Sequence, residues 1–536
     1  FFLRAIFGKQ KKFNRLEEFV ISFGLSILVV DFMMLLLSRV KIPLTRPSLI
    51  ISIAFFIGIC YLIYKKFQTT TGENGCADFN FSPRQTSLII LLLFLTIFVK
   101  ADYLKYNTLP ATTDLGHHMY WSKVISATGS IPNYEARDII KVGNDYTVSQ
   151  PTPISDFIIG EHLIFSAINL LTGIDFISYF PVIVLYLVNL MTVLAFFTLA
   201  LKLFEDFNDG RNIAILSLFF IGPLFTVAAP QVKFVAGGVI GNLISNLFIP
   251  LAFYFYFRAL KEKDSRFLAL AVLVSMALFY THHLSALLFL LVFALSFIAI
   301  IIVHFREIFD LLKTWSKIVF SPAMLSMIIF AVIFVFFIYT PTYLTNKAVS
   351  TVVGGPAKIE HQGLAFSVFK FNVGEPRAAL GLIGIIMFLL MVRGVFKTRN
   401  YGIIFLLSWI FFIMLISLEP TWLGLSIPSA RIANYGVYPL SIIAAFALFK
   451  IWNWIKSDRG SFFIDKKIFL PALILLAVFA ITSGFYDNSQ YAARSTDAQK
   501  TIQTFAASKY LAEKSSSNDQ VITDHIYVAS DSWIKL

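Results

Sequence analysis

Long apolar stretches recur along the whole chain and are separated by short segments that hold most of the charged residues. A bilayer crossing needs about 20 mostly apolar residues, and a window of about 19 residues detects such stretches. This pattern predicts thirteen spans, at residues 17–38, 48–64, 86–99, 177–203, 211–229, 239–258, 266–279, 284–303, 321–340, 377–392, 401–418, 432–450 and 468–484. The expected fold is therefore an all-α polytopic membrane protein with about 13 transmembrane helices.

One further apolar stretch, residues 154–171, is interpreted differently. Counting it as a span would move every later basic loop to the wrong side, so we expect an amphipathic or re-entrant helix at the outer surface. The outer loop 100–176 then carries two surface helices, one beginning near Asp114 and one near Ser155. The turn signal Gly129-Ser130-Ile131-Pro132 and the breaker Pro151-Thr152-Pro153 lie between them.

Composition excludes a soluble protein. Of the 536 residues 57% are hydrophobic and 14% are charged, whereas a soluble domain carries about 25% charged residues. The net charge of +13 is explained first by membrane orientation, so no nucleic-acid partner is expected. Cys60 and Cys76 offer neither a disulfide framework nor a metal knuckle.

The basic residues set the orientation, because short cytoplasmic loops retain Lys and Arg. An N-terminus in the cytoplasm places most of them inside, whereas the short outer turns have almost none. We therefore predict a multi-pass protein of the cell (plasma) membrane, with the loop 100–176 and the C-terminus outside. The inner residues are Arg4, Lys9, Lys11, Lys12, Arg15, Arg258, Lys261, Lys263, Arg266, Arg306, Lys313, Lys317, Arg393, Lys397, Arg399, Lys450, Lys456, Arg459, Lys466 and Lys467.

The outer loop contains the main candidate chemistry. Asp114, His117 and His118 are spaced i, i+3 and i+4, so they share one face of a helix. Glu161 and His162 follow in the same loop. Together the five residues predict an acid/base or metal-binding cluster at the membrane surface. In the alternative, Asp114 only caps its helix and the histidines line a wet interface.

More polar groups occur at the outer ends of later spans. His282 and His283 separate two spans and could hydrogen-bond a phosphate or satisfy a tight turn. Arg377 begins the tenth span, and Arg431, followed by Asn434, begins the twelfth. An arginine at this depth either snorkels to the interface or binds a lipid phosphate. These five residues are the candidate substrate-binding groups.

The order of these features resembles the GT-C superfamily of glycosyltransferases. The shared pattern is a first large outer loop that starts with an acidic residue, continues through Gly-x-Ile-Pro and Pro-x-Pro, and returns by a surface helix. Relatives include oligosaccharyltransferase catalytic subunits, protein O-mannosyltransferases and aminoarabinose transferases. The resemblance implies transfer of a sugar from a polyprenyl-phosphate or polyprenyl-pyrophosphate carrier, such as dolichol phosphate, on the non-cytoplasmic side.

The same resemblance implies roles for individual residues. Asp114 would be the base or a metal ligand, Glu161 the second loop acid, and Arg431 the arginine that meets the carrier phosphate. Asp114 is followed by Leu-Gly-His-His where a second acid would be expected. Residues 1–85 would be spans added to a catalytic core at 86–484, residues 341–376 a mobile outer loop, and residues 485–536 the start of an extracytoplasmic C-terminal domain.

Physical chemistry favours the same function. Nucleotide sugars stay in the cytoplasm, so a transferase with outward polar groups needs a donor delivered through the lipid. Its phosphate requires cations, and the protein or glycolipid acceptor must lose a proton to a carboxylate. A divalent metal, Mn, Mg or Zn, held by Asp114, His117, His118, Glu161 and His162 is a separate hypothesis.

Two rival functions use the same residues. In a lipid or glycolipid transporter or flippase, these polar groups would line a pathway, and polar residues should recur near mid-bilayer on broken helices. Asp31 is the main such residue here, and no internal repeat is visible. A non-catalytic membrane scaffold would leave the outer acids and histidines without a role.

Overall fold

The structure is a computed structural model. It describes residues 1–8, 10, 12–66, 81–105, 113–136, 139–153, 159–227, 240–339, 363–391, 400–424, 429–457, 465–495, 498–516 and 519. The predicted mobile loop, 341–376, lies mostly outside the described residues, as does the end of the chain after 519.

Twenty α-helices form the described part of the chain. They are α1 (Phe2–Phe7), α2 (Arg15–Arg39), α3 (Arg46–Lys66), α4 (Pro83–Ala101), α5 (Thr113–Thr128), α6 (Gly160–Thr172), α7 (Phe180–Leu203), α8 (Gly210–Ile221), α9 (Ile240–Glu262), α10 (Ser265–Thr281), α11 (His283–Val303), α12 (Ile308–Val319), α13 (Pro322–Ile333), α14 (Phe366–Val373), α15 (Glu375–Leu390), α16 (Tyr401–Leu418), α17 (Ser429–Tyr435), α18 (Val437–Lys456), α19 (Lys466–Ser495) and α20 (Ala498–Lys514).

The all-α polytopic prediction is confirmed. Every predicted span coincides with a helix, and in the described residues nine helices are long and apolar enough to cross a membrane. Two bent helix pairs could add two crossings, and α8 and α10 are shorter apolar helices. Residues from α2, α7, α9, α10, α16 and α18 form much of the common core, whereas α3, α4 and α19 expose most of their surface.

Local sequence explains where several helices begin. The Asn14 side chain accepts a hydrogen bond from the Glu17 N–H, and the Glu17 carboxylate accepts one from the Asn14 N–H. This capping box satisfies two N–H groups that the first turn leaves free. Ser82 and Gln85 form the same motif at α4, where Pro83 has the fixed backbone angle that suits a first helical position.

A buried ionic network joins the N-terminal segment to the core at one end of the bundle. Glu17 is fully buried, accepts a hydrogen bond of 2.8 Å from the Tyr254 hydroxyl, and lies 3.5 Å from the Lys202 ammonium group. Arg258 donates to the same hydroxyl over 2.9 Å and to the Lys12 carbonyl. The basic segments before α2 and around the α9–α10 connection therefore lie at the same end, as the orientation analysis expects.

Two small β-ribbons separate α5 from α6 and were not predicted. Strands β1 (Glu135–Ala136) and β4 (Thr152–Pro153) pair antiparallel, as do β2 (Ile139–Val142) and β3 (Asp145–Val148). Gly143 has a positive φ of 65° in the turn between β2 and β3, where a residue without Cβ is unstrained. The Gly143-Asn144 pair is a hairpin signal that the sequence contained.

Candidate active site

Helices α5 and α6 pack against each other at the end of the bundle opposite the Glu17 network. On α5 the buried residues Leu115, Met119, Ser122 and Ile125 recur at helical spacing, and this stripe faces the core. The predicted surface helix begins at Gly160, and residues 154–158 lie outside the described part. Its first turns are buried against α2, α3, α9 and α10, so α6 is mostly enclosed by protein rather than resting on the surface.

Three predicted residues meet at this contact. The Nδ1 atom of His118 lies 2.8 Å from Nε2 of His162 and 3.3 Å from a carboxylate oxygen of Glu161. One ligand atom from each of the three residues lies within 4.8 Å of the others. Glu161 and His162 are buried, and His118 is partly buried. The structure brings together these three of the five residues that the sequence proposed for the cluster.

Two further side chains hold the cluster in place. The Tyr134 hydroxyl is 2.8 Å from Nδ1 of His162, and the Tyr134 ring packs against Trp121 with centroids 4.8 Å apart. The Ser166 hydroxyl lies 2.6 Å from the His162 carbonyl oxygen and 2.8 Å from the Ser122 carbonyl oxygen, which ties α6 to α5. Sequence analysis missed Tyr134, which follows the predicted Gly-Ser-Ile-Pro turn by two residues.

Burial keeps both imidazoles neutral. Desolvation, together with the neighbouring His117, lowers the pKa of His118 to about 4. Desolvation and the neighbouring His118 lower the pKa of His162. Burial and the charge of Glu161 raise the pKa of the Tyr134 hydroxyl. A neutral His118 cannot form an ion pair with Glu161, so the 3.3 Å contact joins the carboxylate to an uncharged ring.

The donor set fits a divalent cation. If Nδ1–H of His162 donates to the Tyr134 hydroxyl, Nε2 carries a lone pair that faces His118 and Glu161. Metal-binding histidines commonly donate their second N–H to such a partner. Two neutral nitrogens and a carboxylate oxygen suit Zn²⁺ or Mn²⁺. Among the described residues, the cluster that could hold a metal consists of His118, Glu161 and His162 and does not include His117. The side chain of Asp114 lies outside the described part of the structure.

The turn between α10 and α11 adjoins this cluster. A Cβ atom on Gly241 would lie 2.9 Å from the His282 ring and 3.4 Å from a carboxylate oxygen of Glu161. One on Gly160 would lie 2.8 Å from the Thr281 hydroxyl. Both glycines therefore permit close helix packing. His282 and Glu161 both lie close to the backbone of Gly241.

His282 continues into a chain of hydroxyl groups. Its Nδ1 atom lies 2.8 Å from the Ser285 hydroxyl, which hydrogen-bonds the hydroxyl of Tyr435 in α17. Burial, followed by repulsion from His283, Arg431 and His118, lowers the pKa of His282 to about 3. Arg431 is exposed on α17. His282 thus lies within electrostatic range of Arg431, the other predicted phosphate ligand, and of His118.

Other predicted residues have less defined roles. His283 packs edge-on against Tyr339, with ring centroids 6.4 Å apart. The Oδ1 atom of Asn434 is buried and has no hydrogen-bond partner among the described residues. Ser285 was not among the predicted site residues. It lies three residues after His282, where the side chain of a helix cap accepts a hydrogen bond from the backbone N–H, so the capping pattern was a usable signal.

Arg377 has a different position from the other predicted phosphate ligands. It is fully buried, and its guanidinium donates hydrogen bonds of 2.8 Å to the Val227 carbonyl and 3.0 Å to the Leu224 carbonyl. It therefore clamps the 3₁₀ turn Pro223–Thr226 onto α15. The neighbouring Glu375 is exposed and pairs with Lys370 over 2.9 Å.

A long groove opens beside this turn, between α8, α15, α18 and α19. Its volume is about 1220 Å³. The walls are mostly apolar, with Phe220, Leu380, Leu448, Phe469 and Leu476 among them. The polar residues of the wall are clustered around the 3₁₀ turn that Arg377 holds: Thr226, Ser483, Asp487 and Asn488. The groove has room for a long apolar chain with a polar group beside Thr226 and Asp487.

Comparison with solved structures identifies the fold. The structure resembles the crystal structure of the Archaeoglobus fulgidus oligosaccharyltransferase in its apo form, with a TM-score of 0.53 and 11% sequence identity. The match covers 81% of this chain and 58% of that protein. This chain has a GT-C-like fold. No protein-family model and no curated protein matches the sequence.

The chain spans somewhat more than half the length of the archaeal protein. In this fold the cluster lies in the segment between α4 and α7, and α10, α11 and α17 complete its surroundings.

Proposed function

We propose that this protein is a membrane glycosyltransferase that moves a sugar or glycan from a polyprenyl-phosphate or pyrophosphate carrier to an acceptor outside the cytoplasm. The observation that carries the proposal is the convergence of Glu161, His118, His162 and His282 at one end of a GT-C-like bundle. Glycosyl transfer from a phosphate requires a base for the acceptor and positive charge near the phosphate. A carboxylate beside neutral imidazoles, with a cation nearby, can supply both.

Each part of the site has a task in this reaction. Either Asp114 or Glu161, one on each of the two packed helices, accepts the proton that the acceptor hydroxyl or amide loses as it attacks the anomeric carbon. Arg431 and His282 stabilise the negative charge that develops on the departing phosphate. A divalent ion at His118, Glu161 and His162 would add Lewis-acid stabilisation of that charge. Tyr134 holds the His162 ring in the required orientation.

The groove supports a donor that reaches the site through the lipid. Its apolar walls suit a prenyl chain, and it reaches Val227 and Gly374 at the outer end of the bundle. A nucleotide sugar has no apolar chain to place there. The groove favours a lipid-linked donor over a soluble one.

Consumption of a labelled donor tests the proposal. Purified protein in nanodiscs is incubated with a panel of sugars linked to polyprenyl phosphate and pyrophosphate, together with peptide and glycolipid acceptors. We expect loss of at least one lipid-linked sugar and no reaction with nucleotide sugars. If Asp114 rather than Glu161 is the base, Asp114→Asn should bind the donor without consuming it, because an amide cannot accept the proton.

Two results would contradict this function. Reaction with a nucleotide sugar would exclude a lipid-linked donor. Rapid movement of labelled lipid across vesicles, without any sugar transfer, would instead establish the flippase.

Membrane orientation supplies an independent test. In a variant with Cys60→Ala and Cys76→Ser, a cysteine at the exposed Lys263 should react with impermeant reagents only from the cytoplasmic side. A cysteine at the exposed Trp422 should react only from outside, because its helix ends at the opposite end of the bundle. Labelling of both positions from one side would refute the assigned topology.

A further inference from the structure

Helix α12 lies across the bundle at the end opposite the candidate active site. It follows α11, which runs away from His283, and it is preceded by the 3₁₀ turn Phe305–Glu307. The segment Phe305–Val319 meets the next helical segment, Pro322–Phe337, at an angle of 70°. Ser321 caps α13 and Pro322 occupies its first turn, where proline is favoured but could not continue α12. This bend prevents α12 from continuing into the next span.

One face of this segment is a stripe of exposed apolar side chains. Phe309 is 84% exposed and Leu312 is 58% exposed, and their spacing of three places them on one helical face. Phe305 lies one turn before Phe309 and is 71% exposed, and Phe320, just after the helix, is 70% exposed. Soluble surfaces rarely present such a stripe. It requires an apolar environment.

A row of cations runs beside the stripe. Arg306, Lys313 and Lys317 recur at spacings of seven and four, which is one line along a helix. Neither lysine forms an ion pair with a carboxylate among the described residues. Of the two acids in the segment, Glu307 lies 3.9 Å from His304 and Asp310 is exposed. The lysines are therefore available to an external anion.

The opposite face of α12 packs against the rest of the protein. Ile318 is buried, and Trp315 lines a cavity of about 90 Å³ together with Ile300, Leu260 and Tyr401. Because the inner face contacts the bundle over an incompletely filled space, packing alone holds α12 weakly. A partner that covers the outer face of α12 would therefore help to hold α12 in place.

We propose that α12 is an in-plane lipid-binding helix that selects anionic headgroups of the cytoplasmic leaflet. The aromatic stripe inserts at the boundary between headgroups and acyl chains, and Lys313 and Lys317 bind phosphate-bearing anionic headgroups. The charge row beside the apolar stripe favours a lipid surface over a protein partner. This binding is separate from sugar transfer, so its failure would leave the proposed function intact.

Hydrogen–deuterium exchange of α12 tests the inference. The protein is placed in nanodiscs of phosphatidylcholine, with or without one third phosphatidylglycerol. Each lysine near an anionic surface contributes about fivefold in binding, so the two lysines together predict roughly 25-fold slower exchange with phosphatidylglycerol. The Lys313→Gln/Lys317→Gln variant should lose most of this difference. Lys141→Gln, on exposed strand β2 at the other end, should retain it.

The opposite outcomes are equally clear. Exchange that does not depend on phosphatidylglycerol, or a double variant that keeps the full effect, would overturn the headgroup selectivity. Phe309→Ser should speed exchange in both kinds of nanodisc, because the stripe inserts regardless of headgroup. If α12 exchanges without protection in both lipid compositions, its exposed face does not bind lipid and would instead suit a protein partner. That result would overturn the proposal.

Discussion

Glu161→Gln is expected to reduce sugar transfer by about 10²- to 10⁴-fold, the range that general acid–base catalysis contributes. The glutamine fills the same buried space next to His118, so the contact between α5 and α6 should persist. It cannot accept a proton, and its neutral oxygen is a poorer metal ligand than a carboxylate. The measurement is the initial rate of donor consumption, with donor binding measured in parallel.

The control for this experiment is Glu419→Gln, which removes an exposed carboxylate at the end of α16, away from the groove, and should leave the rate unchanged. Exhaustive chelation of the parent protein separates the two roles of Glu161. Loss of activity that Mn²⁺ or Zn²⁺ restores would establish the ligand role, and unchanged activity would leave Glu161 as the base. Transfer by Glu161→Gln within a few-fold of the parent would exclude both roles.

Arg431→Gln is expected to weaken donor binding by about 10- to 100-fold, since a hydrogen bond to a charged group contributes about 1.5–3 kcal/mol. Arg431→Lys keeps the charge but loses the planar fork that can hold two phosphate oxygens, so its loss should be smaller. Arg431 is exposed, and neither substitution should disturb the buried core. Donor binding to the three proteins in nanodiscs measures the difference.

Arg211→Gln provides the matched control, because Arg211 is also exposed but begins α8 at the other end of the bundle. Its donor affinity should equal that of the parent. If Arg431 only snorkels to the headgroups, the lysine variant will bind donor like the parent and the glutamine variant will change stability instead. Equal affinity in all three proteins would move the phosphate site to His282.

Hydropathy predicted the helices well because each crossing leaves a local signal of about 20 apolar residues. The pairing of His118 with Glu161 and His162 was also within reach, since both segments belong to one loop and carry unusual polar groups. The side chain of Asp114 and residues 341–362 of the predicted mobile loop lie outside the described residues.

Long-range contacts could not be predicted in the same way. Arg377 looked like other arginines at outer helix ends, but its acceptors are carbonyls in a turn 150 residues earlier. The hydroxyl chain from His282 through Ser285 to Tyr435 joins residues 150 positions apart. Burial of a cation against backbone oxygens depends on the folded path of the chain, and no local pattern reports it.

The buried Glu17 network has a consequence for biosynthesis. The tyrosine that hydrogen-bonds Glu17 lies 237 residues later in the chain. At about 5–20 residues per second, it is synthesised roughly 12–50 s after Glu17. During that interval α2 carries a carboxylate without its final partners, so α2 can take its place in the bundle only after α9 has entered the membrane. Insertion of the first span and its docking are therefore separate events in time.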